Sequence, residues 1–355
     1  MIITVTLHAF MYAETINALD KLIDYGFPAI LVSSMLCTLK YRREIHNLSR
    51  DVDSWGTFRY LEKETEDVRM NAKLLAQRFS RFYMFTIIMG TGAYCLAPLG
   101  KFLFLEPSDP ADLLIFPCWT PLPIDTNWGF YTTYFCQSVI IICANIAFSR
   151  VFCYKIICFY TIGQQMRLIG SALSTIEQRA ERQMREKKNL IVKGKTNIHF
   201  IMEQEIKQCA RQYQTAYRAV KDTTSIFRPV TSVVYHYGMW VICATGVKIA
   251  IEEQLFMKVQ ILMLLNVILV NQYLYSVSSE NLKNEVELLR IVTYSCPWYK
   301  MPIHCQKSIL LMITSMSHIP SFNTIFGTET NMENFGKILN GSYYYISLLL
   351  TILSD

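Results

Sequence analysis

The last residues of the chain form the clearest candidate for a functional site. Four residues share one face of an α-helix, because each lies three or four positions from another member of the set: Leu348, Thr351, Ile352 and Asp355. If several copies of this helix met around an axis, Leu348 and Ile352 would form apolar rings that gate by dewetting. The carboxylate of Asp355 would favour cations at one mouth. The alternative is a helix whose leucines pack against lipid and neighbouring helices.

The rest of the chain carries no catalytic or metal-binding set. The six histidines lack HExxH or other metal-ligand spacing, and no Gly-x-Ser-x-Gly or phosphate-binding loop occurs. The eleven cysteines form no Cys-x-x-Cys pair and lie mostly in apolar segments, where cysteine behaves as a small buried hydrophobe. We therefore predict that the protein is not an enzyme and uses no cofactor and no metal.

The composition is that of a membrane protein. Of the 355 residues, 52% are hydrophobic and only 17% are charged, which is too apolar for an ordinary soluble domain. The net charge of +6 could suggest a nucleic-acid partner, but the Lys and Arg residues lie in loops that flank apolar stretches. Because no basic–aromatic recognition module is present, we predict a lipid bilayer and no nucleic acid as the partner.

Apolar stretches alternate with charged loops along the chain. The ranges 41–81, 167–228 and 283–337 hold most of the Lys and Arg residues. Cationic loops remain in the cytoplasm, so these ranges are predicted inside and Asp355 outside. The pattern predicts an all-α, polytopic membrane helical bundle with about six complete spans: 18–39, 82–105, 130–162, 230–251, 259–277 and the terminal helix at 339–355.

Several polar and aromatic positions have a recognisable order. In chain order they are Tyr131, Tyr134 and Gln137 where the 130–162 span begins, Gly163 and Gln164 where it ends, Tyr294, Cys296, Trp298 and Tyr299, a basic helix at 307–316, and the terminal segment 343–349. Their order and spacing resemble the insect odorant receptor family over nearly the whole chain. One departure is Tyr213, which stands where the family often has a histidine.

The resemblance implies a ligand pocket in the outer half of the bundle, between the second, third, fourth and sixth spans. A volatile molecule is small and mostly apolar, so its affinity comes from burial among aromatic and aliphatic side chains with few polar groups. Each candidate could instead be an ordinary packing residue. Mapped onto this sequence, the candidates are Tyr25, Phe27, Thr91, Tyr94, Cys95, Gln137, Ser138, Ile141, Leu265, Asn266, Leu269 and Tyr273.

The resemblance also implies roles for the last part of the chain. The gate positions of the family fall on Leu348, Thr351 and Ile352. Residues 290–338 correspond to a cytoplasmic region that fastens subunits together, with Trp298, Tyr299 and Lys307 as anchor residues. The alternative for that region is an amphipathic helix lying flat on the membrane surface.

The function that the resemblance implies is an odorant-gated, non-selective cation channel subunit. It would sit in the plasma membrane of an olfactory sensory neuron, with its C-terminus extracellular, and detect small volatile odorants in a heterotetramer with a shared co-receptor subunit. We expect residues 1–289 to form the transmembrane bundle with the pocket and long cytoplasmic helix extensions, and 339–355 to line the pore. Residues 1–13 look like the outer end of a first span whose beginning is missing, since the family has seven spans.

Two other receptor classes remain as alternatives. A gustatory receptor of the same superfamily usually carries a Thr-Tyr…Gln-Phe signature in its last helix, and residues 342–352 do not match it. A G-protein-coupled receptor would need an Asp-Arg-Tyr-like motif and an Asn-Pro-x-x-Tyr helix, which the sequence lacks.

Overall fold

The architecture is helical throughout the part of the chain that the structure describes. A computed structural model describes residues 33–34, 36–37, 39–53, 58, 60–104, 114, 126–189, 198–317 and 322–354. In these ranges the only β-structure is an isolated antiparallel bridge between Asn323 and Glu329. The prediction of an all-α bundle is confirmed.

Eight α-helices fall within the described ranges. Numbered in chain order, they are α1 (Arg42–Asp53), α2 (Glu62–Phe104), α3 (Asn127–Ser174), α4 (Ile176–Asn189), α5 (Ile198–Ile251), α6 (Leu255–Ser295), α7 (Ile303–Met316) and α8 (Met332–Ser354). A short 3₁₀ turn at Trp298–Lys300 joins α6 to α7.

Three of these helices are long and apolar enough to cross a membrane: Trp128–Ser174 in α3, Ile198–Ile251 in α5 and Met257–Ser295 in α6. With 48, 54 and 41 residues, the helices are about 60–80 Å long at 1.5 Å per residue. The hydrocarbon core of a bilayer is only about 30 Å thick. Each helix therefore continues well beyond the membrane, as the charged sequence of 167–228 predicted. The count of about six spans stays a prediction.

The helices pack around the pair α3 and α6. Helix α2 lies against both of them, α5 lies against α6 and α3, and α8 rests on α5 and α6. The largest apolar cluster runs along this central pair and contains the fully buried rings of Tyr83, Phe152, Phe159, Phe227 and Tyr275. The pair thus holds together the elements that carry every candidate site described below.

The helical extensions beyond the spans have a core of their own. Ile176, Ile206 and Ile309 are buried there with parts of α4, α5 and α7. Beside them, Arg179 donates to the carboxylate of Glu205 at 2.5 Å, and both side chains are almost completely buried. Gln183 donates to the other carboxylate oxygen at 2.5 Å. The predicted polar helical segment is therefore a packed domain, fixed by a buried charged network.

Candidate ligand site and terminal helix

A small cavity lies where α2, α3 and α6 meet. It has a volume of about 20 Å³ and brings together two candidates from the sequence, Thr91 of α2 and Ile141 of α3. The other residues in its wall are Ile87, Gly90, Asn145, Leu264 and Val267. The wall is aliphatic apart from one hydroxyl and one amide, which is the composition expected of a site for a small apolar molecule.

Gly90 sets the distance between α2 and α6 at this cavity. A Cβ at position 90 would lie 2.7 Å from a methyl carbon of Val267, so no larger residue fits without a shift. Small residues such as glycine allow close helix contacts in membranes. Of the two neighbouring glycines Gly90 and Gly92, only Gly90 makes such a contact among the described residues, because nothing lies within 4 Å of a Cβ built on Gly92.

Aromatic side chains form a layer beneath the cavity. The Tyr83 hydroxyl donates to Asn271 Oδ1 at 2.5 Å, which ties α2 to α6. The Tyr83 ring stacks on Phe152 of α3 with centroids 4.2 Å apart, and Phe152 meets Tyr275 edge-on at 4.7 Å. The ammonium of Lys155, which is buried, lies 4.0 Å from the centroid of Tyr275.

Three further candidates lie one helical turn above the cavity. The Tyr134 hydroxyl donates to the carbonyl of Cys95, one turn beyond Thr91, and so joins α3 to α2. Ser138 is half-buried and donates to the carbonyl of Tyr134 at 2.9 Å, while Gln137 is buried one turn before Ile141. These positions extend the same α2–α3 contact towards the end of the bundle.

The α6 candidates lie away from this cavity. Leu265 and Leu269 pack instead against the cluster that α5 forms with Ile338 of α8. Asn266 is exposed, and Tyr273 meets Phe335 of α8 edge-on at 6.1 Å. Tyr25 and Phe27 lie outside the described residues, and the side chain of Tyr94 is not described.

Sequence reasoning did not find the α6 residues that do line the cavity. Leu264 and Val267 face it, and Asn271 lies one turn further on in the layer beneath. Their spacing of three and four residues is that of one helix face. The polar Asn271 within an apolar stretch was the available signal, because an amide in a span usually points into the protein.

A row of polar side chains on α6 connects this layer to the start of α8. The Gln272 amide donates to the carbonyl of Tyr235 on α5 at 3.3 Å. The Tyr235 hydroxyl lies 3.1 Å from Ser276 Oγ and 3.3 Å from the carbonyl of Asn331. One turn along, Ser279 Oγ lies 3.0 Å from Thr330 Oγ1. Hydrogen bonds therefore run along α6 from Gln272, the neighbour of Asn271 in the chain, to the residues that precede α8.

Helix α8 is fixed at its N-terminus and near its middle. The backbone N–H of Met332 donates to Glu280 of α6 at 3.0 Å, which places a carboxylate at the positive end of the helix dipole. Further along, Ile346 fits against Gly246 of α5 so closely that a Cβ on the glycine would overlap it. Ser342 is buried on the same side.

The opposite face of α8 is exposed in the part of the chain that the structure describes. Leu348 and Ile352 are 57% and 56% exposed, and Thr351 beside them is exposed as well. Asp355 lies outside the described residues. The three described gate candidates thus lie together on this exposed face of the helix.

The anchor candidates lie where α6 turns into α7. Trp298 is half-buried against the extension core and donates from its indole nitrogen to the carbonyl of Tyr294 at 3.0 Å. Tyr299 and Lys307 are exposed. Three large apolar side chains of α7 point into solvent beside them: Ile303, Leu310 and Leu311.

Within the described ranges, no group of three or more His, Cys, Asp or Glu side chains could hold a metal ion. The same ranges contain a small apolar cavity, a row of hydrogen bonds along α6 and an exposed face of α8.

Comparison with known proteins gives a consistent picture. The family model described as 7tm Odorant receptor matches residues 14–343. No curated protein sequence matches this chain. The fold is similar to the insect olfactory receptor OR5 from Machilis hrabei in complex with eugenol, with a TM-score of 0.79 and 13% identity over 99% of this chain and 86% of that one. A second structure of the same receptor is similar as well, with a TM-score of 0.78 and 12% identity over the same shares of the two chains.

Proposed function

This chain belongs to the 7tm odorant receptor family, and from that premise we propose that it is an odour-tuning subunit of a ligand-gated, non-selective cation channel. It detects small volatile molecules and works in the plasma membrane of an olfactory sensory neuron, in complex with a shared co-receptor. The observation that carries the proposal is the exposed face of α8, where Leu348, Thr351 and Ile352 are exposed on a helix whose other side packs against α5 through Ile346.

The length of α8 suits a helix that crosses a membrane. Helix α8 has 23 residues, or about 34 Å at 1.5 Å per residue, enough to cross the hydrocarbon core. With the C-terminus extracellular, copies of this face around an axis place Leu348 and Ile352 in successive apolar rings. Such rings exclude water until the helices separate.

The ligand enters this scheme at the Thr91 cavity. Its 20 Å³ is room for about one water molecule, whereas sites for drug-sized ligands measure about 300–1,000 Å³. A volatile molecule with several carbon atoms therefore displaces wall side chains when it binds. Helix α6 is bonded to α2 beneath the cavity through Asn271. It is also bonded, through Ser276, to Tyr235, whose hydroxyl reaches the carbonyl of Asn331 at the start of α8. A displacement of α6 therefore reaches the pore helix. The OR5 receptor of Machilis hrabei was solved in complex with eugenol, which supports a small volatile ligand.

Recording currents from cells that co-express this chain with a co-receptor, under a panel of volatiles, tests the function. The pore is tested by Ile352→Cys, with Ile346→Cys as the matched control, because Ile346 faces α5. A membrane-impermeant cationic thiol reagent applied outside should block at least half of the odour-evoked current in the first variant and none in the second. An odour-evoked current that the reagent leaves unchanged in Ile352→Cys would contradict the pore assignment.

The pocket is tested by two adjacent positions on α3. Ile141 is 2% exposed in the cavity wall, whereas Ile142 is 46% exposed on the outside of the bundle. Ile141→Ala should shift the half-maximal concentration of an activating volatile at least tenfold, or reorder the panel by molecular size. Ile142→Ala should stay within twofold of the wild type. Equal effects of the two substitutions would remove the pocket from this place.

Assembly with the co-receptor is supported by the uncovered side chains of α7. Leu311→Asp should reduce co-purification of the two subunits at least fivefold, because it places a charge in an apolar contact. Thr314→Asp, also exposed on α7, introduces the same charge without removing an apolar side chain and should leave co-purification within twofold.

A further inference from the structure

A second and much larger cavity lies between the same three helices, nearer their polar ends. Its volume is about 440 Å³, more than twenty times that of the Thr91 cavity. One end is walled by Phe79 of α2, Ile156 of α3 and Leu274 of α6. The cavity extends from Ile156 to Arg167 on α3 and from Leu274 to Glu285 on α6. In each helix these residues are eleven positions apart, which is about 16 Å at 1.5 Å per residue. The cavity is elongated and changes character from one end to the other.

The other end of this cavity is polar and carries both signs of charge. Arg167 of α3 makes a two-pronged pair with the carboxylate of Glu285 on α6. The amides of Gln164, Asn281 and Asn284 line the same end, and none of the three hydrogen-bonds another side chain in the part of the chain that is described. A guanidinium, a carboxylate and three available amides thus stand around one opening.

The charge pattern on α2 puts the inner membrane boundary close to the apolar end of the cavity. Above the cavity, exposed apolar side chains begin with Phe82 and Phe85. The exposed cations Arg81 and Arg78 come directly before them, on either side of Phe79 in the sequence. Large apolar side chains facing outward mark lipid contact, and Lys and Arg mark the headgroup level. The apolar end therefore lies where acyl chains meet headgroups, and the polar end lies on the headgroup side of that level.

We propose that this cavity binds one zwitterionic phospholipid, such as phosphatidylethanolamine, from the leaflet at the polar ends of the helices. The phosphate binds Arg167, the ammonium group binds Glu285, and one acyl chain lies along Phe79, Ile156 and Leu274. The pair also borders a neighbouring cavity of about 200 Å³, which leaves room for the headgroup beyond it. A guanidinium binds phosphate well as a two-pronged donor.

The charges favour a zwitterionic over an anionic headgroup. A phosphate with no ammonium group would pair with Arg167 and leave the Glu285 carboxylate facing a negative ligand without a partner. An inorganic phosphate ion would leave the apolar end unused. The proposal requires only that α2, α3 and α6 span a membrane, and neither channel activity nor a co-receptor enters it.

Photocrosslinking of the full chain tests the proposal. The probes are phosphatidylethanolamine and phosphatidylglycerol, each with the same photoreactive acyl chain, and the labelled peptides are identified by mass spectrometry. Phosphatidylethanolamine should label peptides containing Ile156 or Leu274, at least fivefold above phosphatidylglycerol. Label found only at the outward belt around Phe82 and Phe85 would overturn the site. Equal labelling of the cavity by both lipids would overturn the headgroup assignment.

Two variants separate the ends of the ligand. Ala76 lines the cavity, whereas the exposed Leu74 on the same helix does not. Ala76→Trp should reduce cavity labelling at least fivefold, and Leu74→Trp should leave it within twofold. Glu285→Gln, which removes the charge and adds little bulk, should bring the labelling ratio of the two lipids close to one. A ratio that stays above five in Glu285→Gln, in protein that elutes as the wild type does, would contradict the role of the carboxylate.

Because the readout is a covalent lipid adduct and needs no ligand, the outcome is separate from that of the channel experiments. A chain that labels as expected and passes no current would leave the lipid site standing and contradict only the proposed function.

Discussion

The extensions of α4, α5 and α7 and the region around the Thr91 cavity are held together by different kinds of contact. In the extensions, the Arg179 guanidinium and the Glu205 carboxylate are buried together and meet Gln183 and the carbonyl of Ala172. Around the cavity, helices meet through the missing side chain of Gly90 and through few polar bonds, such as that of Tyr83 with Asn271.

The difference indicates that one region is specified by paired charges and the other by shape. A buried ion pair allows one arrangement of its partners, since any other leaves a charge unmatched. Aliphatic walls can repack at small cost provided that total volume is kept. The region with paired charges suits a fixed platform, and the shape-packed region suits a site that adapts to ligands.

Removal of one partner of the buried pair should have the largest effect. Glu205→Ala leaves the Arg179 guanidinium buried without its counter-ion, which costs about 3–5 kcal/mol. We expect a large drop in the melting temperature of the purified protein, or its loss to aggregation. Glu203→Ala on the same helix removes an exposed pair with Lys207 and should melt as the wild type does. Equal melting of the two variants would make the comparison of the two regions untenable.

A methyl group at Gly238 should have the next largest effect. A Cβ there overlaps the side-chain amide of Gln272, and an overpacked site typically loses about 1–3 kcal/mol. Gly238→Ala should lower the melting temperature and weaken odour-evoked currents, since Gln272 belongs to the polar row on α6. Gly336→Ala, which meets nothing within 4 Å, should gain up to about 1 kcal/mol from helix propensity.

Loss of the Tyr83 hydroxyl should have a similar or smaller effect on stability. Tyr83→Phe leaves the buried Asn271 amide oxygen without this donor, at a cost of about 1–3 kcal/mol. Because this bond joins two walls of the cavity, we expect the concentration dependence of odour responses to change more than the melting temperature does. Tyr131→Phe, at an exposed position of α3, serves as the control. A fall in melting temperature with unchanged odour responses would assign Tyr83 to packing alone.

The smallest expected effect is the chemical reactivity of the cysteines in the extension core. Burial raises the pKa of the Cys209 thiol to about 12 and that of Cys296 to about 11. Both stay protonated at pH 8, and only the thiolate reacts with alkylating reagents. Mass spectrometry after alkylation of the folded protein should find both unmodified, and denaturant should make both reactive. Modification of either one in the folded protein would indicate that the extension core opens.

Sequence alone established the helical class, the long extensions and the terminal helix. These features depend on composition and charge spread over many residues, so no single position decides them.

The orientation of α6 could not be read in the same way. In residues 259–277 the amide of Asn266 is exposed, whereas those of Asn271 and Gln272 are buried, so the polar positions together did not indicate one buried face. The candidates Leu265 and Leu269 therefore face α5 and α8, while Leu264 and Val267 face the cavity. The Arg179–Glu205 pair was hidden for another reason: its members belong to different helices, and only the tertiary fold brings them together.

The contact of Ile346 with Gly246 makes α8 a lever with an off-centre pivot. Ile346 lies fourteen residues from Met332 and eight from Ser354, which is about 21 Å and 12 Å at 1.5 Å per residue. Any tilt about this pivot moves the two ends in opposite directions, and the far end travels about 0.6 times as far. An inward displacement of 1 Å at Met332 therefore produces an outward displacement of about 0.6 Å at Ser354.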